Sequence, residues 1–139
     1  MGRGQHRSPM EVFEDHLGLR LEGNLEEDLR RNYAEDVVLL TVNSNATGHE
    51  ALRMSAERLS RQLPGAEFSI AAKQVSGPYA LLIWSATSPR FQAVEGADTF
   101  VIRDGKIVLQ TIHYGLRHAS EFGSAVTTAG QAGGGDGPP

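Results

Sequence analysis

The chain has 139 residues, with 13 Lys and Arg against 17 Asp and Glu and a formal charge of −4. That length supports one domain with one core, the acidic balance argues against a nucleic-acid partner, and no apolar run reaches the length of a membrane span. No cysteine is present to form a disulfide, a thiol nucleophile or a thiolate metal site, and the polar N-terminus has no signal-peptide core, so a soluble, cytoplasmic protein is expected.

Residues 1–7 read as a flexible leader, 8–118 as a single α+β domain, and 119–139 as a disordered Gly/Pro-rich tail with little to bury. Ser8-Pro9-Met10-Glu11 opens a helix: a serine cap, proline at the first helical position and glutamate three residues after the cap. Val12, Phe13, His16, Leu17 and Arg20 or Leu21 follow at helical spacing, and Gly23 ends the segment. Asn24-Leu25-Glu26-Glu27 starts a second, short helix. Residues 37–42 read as a strand, 43–48 as a polar loop, and 49–63 as a third helix with Leu52, Ala56, Leu59 and Leu63 on one stripe before Pro64-Gly65. Four β-rich segments follow: 67–75, 79–87, 90–95 extending towards 103, and 107–115. Helices first and antiparallel strands last make the chain α+β.

The last two strands form a hairpin around Asp104-Gly105, a dipeptide suited to a two-residue turn with positive φ. An unbroken register from that turn pairs Arg103 with Lys106, Ile102 with Ile107, Phe100 with Leu109 and Asp98 with Thr111. It thereby places Asp98, Phe100, Ile102, Ile107, Leu109, Thr111 and His113 on one face. Asp98 and His113 become diagonal neighbours, ~5–8 Å apart at their Cβ atoms, the arrangement of an acid–base pair. On the same reading Tyr114 faces the outside of the sheet, Trp84 is a core or pocket-wall aromatic, and His49 faces solvent.

Three pieces together, Gly23-Asn24-Leu25 through Tyr33-Ala34-Glu35-Asp36-Val37-Val38, Gly48-His49-Glu50-Ala51-Leu52, and the hairpin from Gly96 to Tyr114, resemble the nuclear-transport-factor-2-like superfamily in its SnoaL-like branch. The resemblance spans about residues 10–116. It implies a cone in which three helices pack inside a curved, mostly antiparallel sheet, a pocket at one end, and a homodimer through the outer sheet face. Relatives include ketosteroid isomerase, polyketide cyclases and dehydratases, as well as proteins without catalytic activity. By that likeness Asp98 stands where the isomerase keeps its oxyanion-hole acid, His16 where it keeps a tyrosine, and Thr41 where it keeps its general base. Threonine cannot serve as that base, and His113 is the nearest replacement.

The candidate catalytic residues are therefore His113 and Asp98, with His16, Thr41, Thr111, Phe100, Leu109 and Trp84 as ligand contacts. No histidine spacing suits a metal and no phosphate loop or dinucleotide fingerprint is present, so neither metal nor cofactor is expected. Three readings stay open: a cofactor-free isomerase, cyclase or dehydratase acting on a small, largely apolar molecule; a non-catalytic binder of such a molecule; and a dimeric adaptor for another protein.

Overall fold

A computed structural model describes residues 6–118 and 126–127. Helix α1 (Pro9–Leu21) begins with a complete capping box, in which the Ser8 side chain accepts from Glu11 N–H and the Glu11 carboxylate accepts from Ser8 N–H. Helix α2 (Leu25–Asn32) is capped by Asn24, whose side chain accepts from Glu27 N–H. The chain passes straight from α2 into β1 (Tyr33–Thr41), earlier than the apolar run suggests, and the polar loop beyond it contains a short strand, β2 (Asn45–Thr47), paired with β1. Helix α3 (His49–Gln62) follows, then β3 (Glu67–Ser76), β4 (Tyr79–Thr87), β5 (Phe91–Arg103), β6 (Lys106–His118) and β7 (Val126–Thr127). Of the leader expected over 1–7, Arg7 donates to the backbone oxygens of Arg31 and Gly105. Residues 1–5 lie outside the described residues, as does the expected tail apart from Val126–Thr127, which pairs with β6.

The sheet runs β2-β1-β6-β5-β4-β3, with β7 also on β6. Its pairs are antiparallel except β1 with β6, which is parallel and brings the chain's first long strand beside its last. The helices cover one face. Val12, Phe13 and Leu17 of α1 sink into it, and Phe13 meets Phe100 edge to face at 5.3 Å. Among the described residues, no helix is long and apolar enough to cross a membrane.

The hairpin turn forms as its sequence dictates, with Asp104 at φ 52 and Gly105 at φ 77. Its register does not continue unbroken. Ile102 pairs with Ile107, but Val101 pairs with Leu109, so Val108 is an extra residue and a β-bulge. Beyond the bulge Phe100 pairs with Gln110, Thr99 with Thr111, Asp98 with Ile112 and Ala97 with His113. A one-residue slip turns every later side chain to the other face. Asp98, Phe100, Gln110 and Tyr114 are buried under the helices, whereas Leu109, Thr111 and His113 stand on the outer face and His113 is exposed. The expected pairing of His113 with Asp98, and the outward placing of Tyr114, are both corrected by this bulge.

Candidate functional site

Between α1, α3 and the inner face of the sheet lies a cavity of about 110 Å³. Leu17, Leu52, Leu59, Leu82 and Ile112 give it apolar walls, and Phe68 and Ile70 of β3 stand half-covered at its mouth. Polar groups enter it from two directions.

The first is the sheet. Asp98 is 8% exposed. The indole Nε1–H of Trp84 donates to its Oδ1 at 3.0 Å, and the Gln110 amide donates to its Oδ2 at 3.0 Å. The Gln110 carbonyl in turn accepts from the Tyr33 hydroxyl, so one hydrogen-bonded chain runs Tyr33–Gln110–Asp98–Trp84 across four strands, β1, β6, β5 and β4. Burial pushes Asp98 up to about 6; the donated hydrogen bonds of Trp84 and Gln110, and the pull of His16 and Arg20, act against that rise. Burial, reinforced by Asp28, likewise holds the Tyr33 hydroxyl well above its ordinary range.

Gly96 explains how Trp84 reaches Asp98. It pairs with Trp84 across β4 and β5, and a Cβ on it would lie 2.4 Å from the indole Cε2. With no side chain there, the indole lies over the backbone of β5 and extends to Asp98, two residues along. Glu95, at φ 55 in the register break between Val94 and Ala97, sets that stretch of strand in place.

The second direction is α1. His16 is 3% exposed and its ring lies 5.2 Å from that of Phe100 and 5.7 Å from that of Tyr33. Its Nδ1 lies 2.8 Å from Oδ2 of Asp28, which is fully buried and also accepts from the Asn32 amide at 2.9 Å. A carboxylate oxygen accepts there, so Nδ1 carries the hydrogen and Nε2 is the nitrogen left to meet a ligand. The cavity therefore presents a carboxylate poised near neutrality and an imidazole oriented by a second carboxylate, a combination suited to moving a proton.

Of the residues singled out from sequence, Asp98, His16 and Trp84 line the cavity. Phe100 is buried behind it, with its ring against His16 and Phe13. His113, Thr111 and Leu109 lie on the opposite face, where Thr111 bonds Thr99, and Thr41 is half-buried at the end of β1 beside Ile112. His49 is half-buried, its Nε2 3.1 Å from the Tyr33 backbone oxygen. Asp28, Gln110 and the inward facing of Tyr114 were not legible from the sequence. Asp28 could not be told from its neighbours Glu26 and Glu27, which look like the ordinary acidic first turn of a helix. Tyr114, whose hydroxyl donates to Gln62 and whose ring lies 5.5 Å from Trp84, was hidden by the register slip.

A larger, open groove runs over the outer sides of the helices, but its charged groups are occupied by one another: Arg31 with Asp15 and Glu27, Arg30 with Glu27, and Arg53 with Glu26 and Glu50. Among the described residues, no three His, Asp or Glu side chains gather as a metal site requires.

Three helices on a mostly antiparallel sheet, enclosing a cavity that opens at one end, define an NTF2-like α+β cone. Residues 13–110 match the SnoaL-like domain, and the chain belongs to that family. Solved structures share the fold at low identity. An NTF2-like protein of Burkholderia thailandensis is 18% identical, with 78% of this chain and 91% of that one covered and a TM-score of 0.66. A candidate ketosteroid isomerase of Kribbella flavida is 18% identical, with 76% of each chain covered and a TM-score of 0.62. A candidate SnoaL-like polyketide cyclase of Mesorhizobium loti is 16% identical, with 78% of this chain and all of that one covered and a TM-score of 0.58. No curated protein matches the chain. Likeness at these identities is one of fold, and function has to be argued from the site.

Proposed function

We propose that the cavity takes a small, largely apolar carbonyl compound and that the protein moves a proton α to the carbonyl without a cofactor, as isomerases, cyclases and dehydratases do. The observation that carries this reading is the buried Asp98, set at about 6 on the wall of an apolar cavity that also holds His16. A carboxylate near neutrality is a far stronger base than an exposed one and is still largely ionised at pH 7. Asp98 abstracts the proton and returns it to a second carbon. His16, held by Asp28, faces the developing enolate or leaving oxygen. The acid–base pair is thus Asp98 with His16, in place of Asp98 with His113.

The outer face of the sheet supports a homodimer as the working form. Val38 and Leu40 of β1, Leu81 and Ile83 of β4, Val101 of β5 and Leu109 of β6 lie on it with Tyr79, Thr99, Thr111 and His113. Leu40 is 38% and Tyr79 56% exposed, a broad uncharged surface of the kind that a second copy covers.

Deuterium exchange tests the chemistry. In D2O the protein is expected to label the α-carbon of cyclohexenone faster than buffer, and Asp98→Asn to slow that labelling by about 10²-fold or more. Labelling no faster than in buffer, with cyclohexenone bound, would leave the non-catalytic binder as the correct reading.

A further inference from the structure

Arg20 is a cavity-lining cation that the proton transfer leaves unused. It sits in the last turn of α1, half-buried, on the wall that also carries His16 and Asp98. Its charge is felt at both Asp98 and Tyr33. Yet no hydrogen bond or ion pair engages it among the described residues.

The anionic groups around Arg20 are otherwise engaged or turned away. Both oxygens of Asp98 accept from Trp84 and Gln110. On α1 itself, Glu11 closes the capping box, Glu14 holds Lys73 and Asp15 holds Arg31 and Arg7. Glu22 is two residues away and exposed, a spacing at which helical side chains do not face each other. Position in the last turn suits any cation, through the helix dipole. It does not account for an arginine on the wall of a largely apolar cavity with no anion engaging it among the described residues.

We propose that Arg20 anchors a carboxylate, so that the ligand of this cavity is a small monocarboxylic acid. The guanidinium presents paired N–H donors in the fork that a carboxylate fills with two parallel hydrogen bonds. The cavity sets the size of the rest. An engineered apolar cavity of about 150 Å³ takes one benzene, so about 110 Å³ holds the better part of a single ring or a short branched chain, with the carboxylate left at Arg20. This rests on the cavity being the ligand site; it adds that the substrate is an anion, which orients its carbonyl end towards Asp98 and His16.

Calorimetric titration with phenylacetate and with its neutral isostere phenylacetamide separates the two claims. The native protein is expected to bind phenylacetate about tenfold or more tightly than phenylacetamide. Arg20→Gln should bring the two dissociation constants within about twofold of each other by weakening phenylacetate alone, and Arg20→Met should do the same. Arg103→Gln, which removes an equal charge at the exposed hairpin turn, should keep the native preference. Equal binding of acid and amide by the native protein, or a preference that survives in both Arg20 variants, overturns the anchor while leaving the cavity as a ligand site. Failure of both probes to bind overturns the anchor and the cavity reading together.

Discussion

Replacing Asp98 by asparagine should change how stability depends on pH. Folding moves this carboxyl from an ordinary value of 3.8 to about 6, chiefly because burial disfavours its charge. At 1.36 kcal/mol per tenfold change in proton affinity, that displacement amounts to about 3 kcal/mol. The folded protein holds the proton more tightly than the unfolded chain does, so between about pH 4 and pH 6 the native state binds more protons. Stability contributed by the protonated group is complete below pH 4 and lost as pH rises through 6. Asparagine cannot titrate, and it also meets the Trp84 and Gln110 donors with one oxygen in place of two. At pH 4 the variant should therefore be the less stable protein by about 1–3 kcal/mol, the penalty of an unmatched buried donor. At pH 7 that deficit should shrink or reverse, because the native protein has by then lost about 3 kcal/mol that the variant never gained. Urea unfolding of both proteins at half-unit steps from pH 4 to 7.5 measures the difference directly. A stability difference that stays constant across that range would refute the argument that Asp98 is held near neutrality by burial.

Other substitutions probe the parts separately. Gly96→Ala drives a methyl group into the Trp84 indole, 2.4 Å from Cε2, and should destabilise by about 1–3 kcal/mol while altering the tryptophan fluorescence; an unchanged emission spectrum would mean the indole does not lie over Gly96. Asp28→Ala removes the acceptor shared by His16 and Asn32 and should lower stability by about 3–5 kcal/mol in the same unfolding assay, a loss below about 1 kcal/mol being incompatible with the buried contact. His113→Ala should leave cyclohexenone exchange unchanged, since the side chain stands on the far face of the sheet from the cavity; a loss of about tenfold or more would place it in the reaction. If the native chain runs as the proposed dimer in sedimentation equilibrium, Leu40→Asp, which puts a charge into the outer sheet face, should run as a monomer; an unaltered mass would remove that face as the interface.

The elements of this fold were written where local chemistry is strong. Ser8-Pro9-Met10-Glu11 and Asn24 announced their caps, and Asp104-Gly105 announced its turn, because each acts through backbone groups within a few residues. The bulge at Val108 had no such signature. It falls in the apolar run Ile107-Val108-Leu109, which alternation cannot align, and neither Gly nor Pro marks it. Beyond it the two candidate faces, Leu109-Thr111-His113 and Gln110-Ile112-Tyr114, are equally mixed in polarity, so pattern alone could not choose between them. What chooses is long-range. Gln110 finds Tyr33 and Asp98, and Tyr114 finds Gln62 and Trp84, partners that only the folded sheet brings within reach. Asp28 belongs to the same case, since its partner His16 lies on another helix. Asp98 was recognisable as an inward-facing residue of the hairpin, while that one-residue slip is what had placed His113 beside it.

The central claim is that the cavity between α1, α3 and the sheet is where this protein meets its ligand. The most direct measurement is a two-dimensional NMR titration with cyclohexenone that follows the Trp84 indole N–H together with the methyl groups of Leu52, Leu82 and Ile112. These resonances should move together along one saturable curve, while Arg30, Arg31 and Arg53 in the outer groove stay still. Shifts confined to the outer groove, or an indole resonance that never moves, would contradict the claim.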